Sequence, residues 1–367
     1  MQLMTMKTRL LIIIPAIIAL SILAVLVYDS MILDKICQDS GGKRTGDTCL
    51  ASIIINSTKN DPQSATSTSQ IKTMRPNSME YFYYPNPEDA ANRDVFQKFI
   101  LIRLPEELGG DADDVSAFRA YSALSVGVHC QIKYWSHEER KRMEDPCWGS
   151  IYRPIDGLMI AGERPVVNNA PVALPYLDLS MDENGSLHVE PPKWTLDENG
   201  VVGEGRSISL QQIRQGSQVI VDSYEQTNPN HPKIPIDFAG QILTQINPGS
   251  NRVEALYHDF SSHDWHGITL YIGNVSAQDQ QYFLNLAKSN SEFWQIGDTA
   301  IRIWGSALDE NSDRSEGFRE YNVEFILDGF KFAINGQNID LMKKALVVNY
   351  FPENNYDDMF LVSSTVK

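Results

Sequence analysis

The apolar positions change their pattern several times along the chain. Leu10 to Tyr28 (LLIIIPAIIALSILAVLVY) is an uncharged apolar run of the length that spans a bilayer. Lys7 and Arg9 precede it and Asp29 and Asp34 follow, so the positive-inside rule leaves residues 1–9 as a cytoplasmic tail and puts everything beyond the helix outside. A cleaved secretory signal is the competing reading, but the run is longer than a signal core and no small-x-small cleavage site follows it. From Asn56 to Ser78 the chain is rich in Ser, Thr, Asn, Gln and Lys without apolar periodicity, and such a segment buries too little surface to fold. Residues 29–78 are therefore expected to form a polar loop followed by a flexible stalk.

Beyond the stalk the periodicity is mostly that of β structure. Phe96–Leu104 and Ala117–Leu124 are apolar, β-branched or aromatic runs separated by Gly- and Asp-rich turns, and residues 79–207 are expected to form an antiparallel β domain. In residues 208–367, strand signals recur at Gln218–Tyr224, Val253–Tyr257, Gly267–Ile272, Ala300–Trp304 and Asn322–Leu327. Asp328-Gly329 predicts a two-residue hairpin turn into Phe330–Ile334. Two helices are expected: Ala277–Lys288, capped by Ser276 with Tyr282, Phe283 and Leu286 on one face, and Ile339–Val348. The resulting fold class is mainly β or α+β, with the C-terminal helices packed on one face of a sheet.

A formal net charge of -16 argues against a nucleic-acid or anionic-membrane surface, and no basic block with interleaved aromatics occurs. The expected partners are the membrane, through the N-terminal helix, and other subunits of a membrane complex. All of the Cys residues follow the apolar run. Cys37 and Cys49 bracket a Gly-rich polar loop, which outside the cytoplasm reads as a disulfide. A zinc half-site is the competing reading, though no neighbouring His or further Cys accompanies it. Asn56, Asn184 and Asn274 stand in Asn-x-Ser/Thr sequons.

Two segments carry the most information: Tyr121–Cys130 (YSALSVGVHC) and Asp145–Gly157 (DPCWGSIYRPIDG). They resemble the two cluster-binding boxes of the Rieske [2Fe–2S] domain family, Cys-Thr-His-Leu-Gly-Cys and Cys-Pro-Cys-His-Gly-Ser, of the membrane-anchored respiratory type. The resemblance runs from about Phe96 to Val189 through Gly149-Ser150, Tyr152-Arg153-Pro154, Asp156-Gly157, Ala161-Gly162 and Leu174-Pro175, and ends in a closing hairpin at Asp182–Val189. Glu163 departs from it, standing where the family has the Pro of its Gly-Pro loop. The four cluster-ligand positions fall on Ser125, Gly127, Asp145 and Trp148, so the resemblance is to a degenerate member with every ligand replaced. It further implies that Cys130 and Cys147 form the disulfide that braces the two loops. Trp148 is expected to pack in the loops or core, helping to close the space a cluster would fill.

Other chemistry is sparse. His137, Glu138 and Glu139 lie in a charged insert read as a solvated turn, and His258, His263 and His266 with Asp259 and Asp264 form a candidate metal cluster. No phosphate-binding loop, nucleophile elbow or His-Glu-x-x-His helix is present, so no catalytic residue is assigned. The expected function is that of a non-enzymatic, single-pass, extracytoplasmic protein of the cell membrane. Its Rieske-like domain would lack a cofactor and serve as a structural or interaction module, as in an accessory subunit of a respiratory or membrane oxidoreductase complex. The alternative implied by the resemblance is an electron-transfer subunit with a [2Fe–2S] or atypical metal centre.

Overall fold

The structure, a computed structural model, describes residues 42–45, 48–52, 74–85, 94–136, 141–162, 170–183, 185–260, 267–286, 293–306 and 320–362. Its N-terminal β unit contains β1 (Gly42–Thr45), β2 (Thr48–Ser52), β3 (Ser78–Tyr83), β4 (Lys98–Arg103), β5 (Phe118–Ser122), β6 (Lys133–Trp135) and β7 (Arg142–Glu144). It continues through β8 (Ile151–Tyr152), β9 (Met159–Ala161), β10 (Val172–Ala173), β11 (Tyr176–Leu177), β12 (Leu179–Met181), β13 (Leu187–Val189) and β14 (Arg206–Ser207). These pair as four-stranded sheets β11-β5-β4-β3, β6-β7-β8-β9 and β1-β2-β13-β12, with a β10-β14 ribbon.

The uninterrupted run Phe99-Ile100-Leu101-Ile102 in β4 explains the layering. A strand alternates its side chains between faces, so an unbroken apolar run must be covered on both. Phe99 and Leu101 pack with Phe82, Phe118, Leu177, Leu187 and Val189 on one side. Ile100 and Ile102 pack with Tyr121, Ile132, Met143, Tyr152 and Met159 on the other. The closing hairpin read from Asp182–Val189 is present as the antiparallel pair β12–β13. Residues 42–45 and 48–52, within the segment the sequence reads as a polar loop and stalk, pair antiparallel as β1 and β2, and β2 pairs with β13.

The second unit is a nine-stranded sheet in the order β15-β16-β17-β18-β22-β21-β20-β19-β23. Its strands are β15 (Asp237–Phe238), β16 (Gln241–Pro248), β17 (Arg252–His258), β18 (Ile268–Asn274), β19 (Phe293–Ile296), β20 (Thr299–Ser306), β21 (Glu320–Leu327), β22 (Phe330–Gly336) and β23 (Phe360–Val362). Asp328 and Gly329 sit at φ 50° and 81°, and Leu327 pairs with Phe330 across them. This is the turn with two left-handed residues that Asp-Gly favours. Helices α1 (Leu210–Thr227), α2 (Ala277–Leu286) and α3 (Ile339–Tyr350) complete the described elements.

Gln218–Tyr224 is helical, within α1, and not the strand its Val-Ile-Val run predicts. Ser209 and Gln212 form a reciprocal capping box at the start of α1, and Ile213, Ser217, Val221 and Tyr224 make a buried stripe at helical spacing. Capping and tertiary burial override a local β-branched preference. Helices α1 and α3 supply Val221, Tyr224, Met342 and Leu346 to the core over one sheet face. Phe283 of α2 packs instead with Phe293, Ala300 and Ile326. Ala300 and Ile326 neighbour Ile301 and Phe325 of the main core, and adjacent strand residues point to opposite faces, so α2 lies on the other side of the sheet.

The units meet at α1. Ile213 packs with Leu158, Ile160 and Ala173 of the first unit and with Ile242 of the second. Arg153, fully enclosed, makes two bonds to Asp156 and donates across the junction to Ile213 O and Ser217 Oγ at 2.9 and 3.2 Å. Among the described residues no helix is long and apolar enough to cross a membrane. Residues 10–28, residues 56–73 of the expected stalk, Cys37, His137, Glu138, Glu139, Glu163, the sequon residue Asn184, and the side chain of Cys49 lie outside the described residues. The end of the expected stalk does not read as a spacer, since Met74 is buried in the core with Phe82 and Phe99 and Ser78 opens β3.

Candidate functional site at the disulfide-joined loops

Sheet pairing brings the two sequence boxes together. β6 and β7 are antiparallel with Lys133 opposite Glu144, so the loop entering β6 and the loop leaving β7 lie at the same end of the sheet. Each loop is closed by a backbone bond between its first and sixth residues, Ser125 N to Cys130 O at 2.9 Å and Asp145 N to Ser150 O at 2.9 Å. The disulfide Cys130–Cys147 joins them, with Cα atoms 6.2 Å apart.

Ser125 and Asp145, at the first ligand position of each box, are fully buried and turn their oxygens onto their own loops. Ser125 Oγ accepts from Cys130 N–H at 3.0 Å. Asp145 Oδ1 accepts from Cys147 N–H at 2.7 Å and Trp148 N–H at 3.3 Å, the arrangement expected of a buried carboxylate facing backbone donors. Asp145 Oδ2 is buried with no hydrogen-bond partner.

The second ligand positions are exposed. Gly127 adopts φ 83° and donates its N–H to Gly203 O at 2.8 Å. The first loop is thereby docked on the turn at 201–205, where a Cβ on Gly203 would lie 2.6 Å from His129 Nε2. Trp148 is 65% exposed, which corrects the expectation that it fills the vacated cluster space or packs in the core. Gly149 at φ 73° turns the chain beside it, and a Cβ there would meet nothing.

Support beneath the loops comes from Tyr152, whose phenolic oxygen accepts from Val126 N–H at 3.0 Å. Burial, opposed by that backbone bond, raises the Tyr152 pKa well above the usual phenol range. Sequence reading missed this tie and the docking of Gly127 on Gly203. The Gly-rich run Gly200–Gly205 was the available signal, since Gly200, Gly203 and Gly205 all have positive φ.

The donor set does not fit a Rieske-type [2Fe–2S] cluster, which takes thiolates and imidazoles. Ser125 offers a hydroxyl already engaged, Gly127 offers no side chain, Asp145 is a hard oxygen donor, and the Trp148 indole has only an N–H to donate. In the second unit His258 ends β17 with its ring 6.2 Å from that of Phe260. His263, His266 and Asp264 lie outside the described residues, so the described structure does not assemble that candidate cluster. A separate cavity of about 350 Å³ lies at the junction of the units, lined by Pro154, Ile155, Ile160, Ile220, Tyr224 and Ile246 among others. At its edge Glu107 and Lys141 form an ion pair.

No family model matches the chain, and no curated protein matches it. Among solved structures, the chain is similar to the quaternary ammonium Rieske monooxygenase CntA in complex with the inhibitor MMV12, at 11% identity over 78% of this chain and 74% of that one, with a TM-score of 0.22. The same enzyme with its substrate gamma-butyrobetaine gives 12% identity, 77% and 72% coverage and a TM-score of 0.22. A likeness at that score carries no argument about this chain.

Proposed function

We propose that this chain is a membrane-anchored extracytoplasmic protein whose Rieske-like tip, free of a cluster, serves as a structural or interaction module, an accessory subunit of a membrane oxidoreductase complex. The observation that carries this reading is the division of labour at the tip. The inner ligand positions, Ser125 and Asp145, are spent on hydrogen bonds that stiffen the loops. The outer position holds an indole 65% exposed on a disulfide-braced turn. A large aromatic presented on a rigid support is the residue type that dominates binding energy at protein interfaces. The apolar run at Leu10–Tyr28 and the acidic, basic-patch-free composition support the placement at a membrane facing protein partners.

Capture of the full-length chain from detergent-solubilised membranes tests this. Trp148→Ser is expected to weaken the binding of captured subunits about thirtyfold, as a hot-spot loss of about 2 kcal/mol implies. As a surface change it should leave the unfolding free energy within about 0.5 kcal/mol. Equal recovery of the same subunits by both proteins would sink the assignment of the tip as the contact. Two irons per purified chain with a Rieske-type paramagnetic signal would establish the electron-transfer alternative instead.

A further inference from the structure

Asp145 Oδ2 is a carboxylate oxygen buried without a partner, and such an atom is costly to keep unless something binds it. With Oδ1 held by two backbone N–H groups, the carboxylate is fixed in orientation. The Asp145 carboxylate, Cys130 Sγ and Cys147 Sγ offer ligand atoms that all lie within 4.8 Å of one another. Two thiolates and a carboxylate at that spacing suit a tetrahedral cation with bonds of about 2.3 Å to sulfur and about 2.0–2.2 Å to oxygen. In the disulfide the sulfurs are bonded to each other and uncharged, so the bond itself keeps the site closed. Cys147 is exposed, which gives a reductant access.

We propose that reduction of Cys130–Cys147 opens a mononuclear site for a thiophilic divalent cation, with Zn²⁺ the best match, held by Cys130 Sγ, Cys147 Sγ and the Asp145 carboxylate. Water takes the fourth position. A dithiol supplies the two electrons and two protons that break the S–S bond and form two thiols, and closes to its own disulfide. The cation then displaces both thiol protons to solvent, leaving two thiolates, one carboxylate and one divalent ion with a net charge of about -1, the ligands being deprotonated as metal binding requires. The site differs from a Rieske centre in nuclearity and in using the sulfurs that brace the loops. It stands apart from the interaction reading, since partner capture and metal binding are measured separately and either can fail alone.

The test uses the full-length chain carrying Cys37→Ser and Cys49→Ser, so that only the tip pair remains. It is reduced anaerobically with a trialkylphosphine, which leaves as its oxide, and titrated with Co²⁺. The expected result is one Co²⁺ per chain with a sulfur-to-cobalt charge-transfer band, displaced by Zn²⁺ and absent from the oxidised protein. Asp145→Asn, which keeps the shape, should weaken binding at least about tenfold, because even the loss of an outer-shell partner costs about 10–100-fold. No such band in the reduced protein, or unchanged affinity in Asp145→Asn, overturns the proposal. So does a band of equal strength in denaturant, which would mark binding by unfolded thiols.

Discussion

Ser125 and Asp145 each turn a buried side-chain oxygen onto the loop that carries them. These oxygens accept backbone N–H bonds from Cys130 and Cys147. Tyr152 does the same from below, and its hydroxyl is the partner of the buried Val126 N–H. Tyr152→Phe is expected to leave that N–H unpaired in a dry site and to cost about 1–3 kcal/mol. Chemical denaturation measures the loss, and hydrogen exchange should show the Val126 amide exchanging faster than in the parent protein. An unchanged Val126 amide would mean that the tie does not hold the loop.

Helix α1 is the element whose sequence and position are most tightly linked. Gly216 sits in its middle, where Ala would ordinarily be favoured by about 1 kcal/mol. A Cβ at Gly216 would lie 2.7 Å from both Arg153 Nη2 and Asp156 Oδ2. Those atoms are the ends of side chains, but they are locked in an enclosed pair that also bonds to α1. Gly216→Ala is therefore expected to destabilise by about 1–2 kcal/mol net, overpacking outweighing helix propensity. Thermal unfolding checks the sign, and a stabilised variant would show that the pair yields easily. The same element shows why Gln218–Tyr224 reads as a strand: Val219, Ile220 and Val221 carry β preference locally, while the stripe that makes them helical extends back to Ile213 and the capping box at Ser209.

For the whole molecule, Arg153 is a buried polar link between the units, with Asp156 on its own loop and Ile213 and Ser217 on α1. The loop it belongs to is held independently, since Tyr121 Oη donates to Pro154 O and Arg206 Nη2 donates to Asp156 O. Removing Arg153 leaves Asp156, only 15% exposed at its side chain, without its ionic partner. Arg153→Ala is expected to cost about 3–5 kcal/mol, the loss typical of breaking a buried pair. Because each unit retains its own core, unfolding should divide into separate transitions for the N-terminal β unit and the nine-stranded sheet. A single cooperative transition at the parent midpoint would refute the role of this clamp.

The sequence by itself determined the features that depend on neighbours along the chain. Alternation marked the strands at Val253–Tyr257, Asn322–Leu327 and Phe330–Ile334, and Asp328-Gly329 marked the turn between the last two. It also bounded the chemistry, because Ser, Gly and Trp supply neither thiolate nor imidazole. Tertiary structure alone decided that Trp148 faces solvent, that one Asp145 oxygen lacks a partner beside the disulfide, and that Gly216 is kept small by Arg153. Each of these is set by contacts between segments far apart in sequence, brought together by sheet pairing and helix docking. Local periodicity encodes which face of an element is apolar; it does not encode what that face meets.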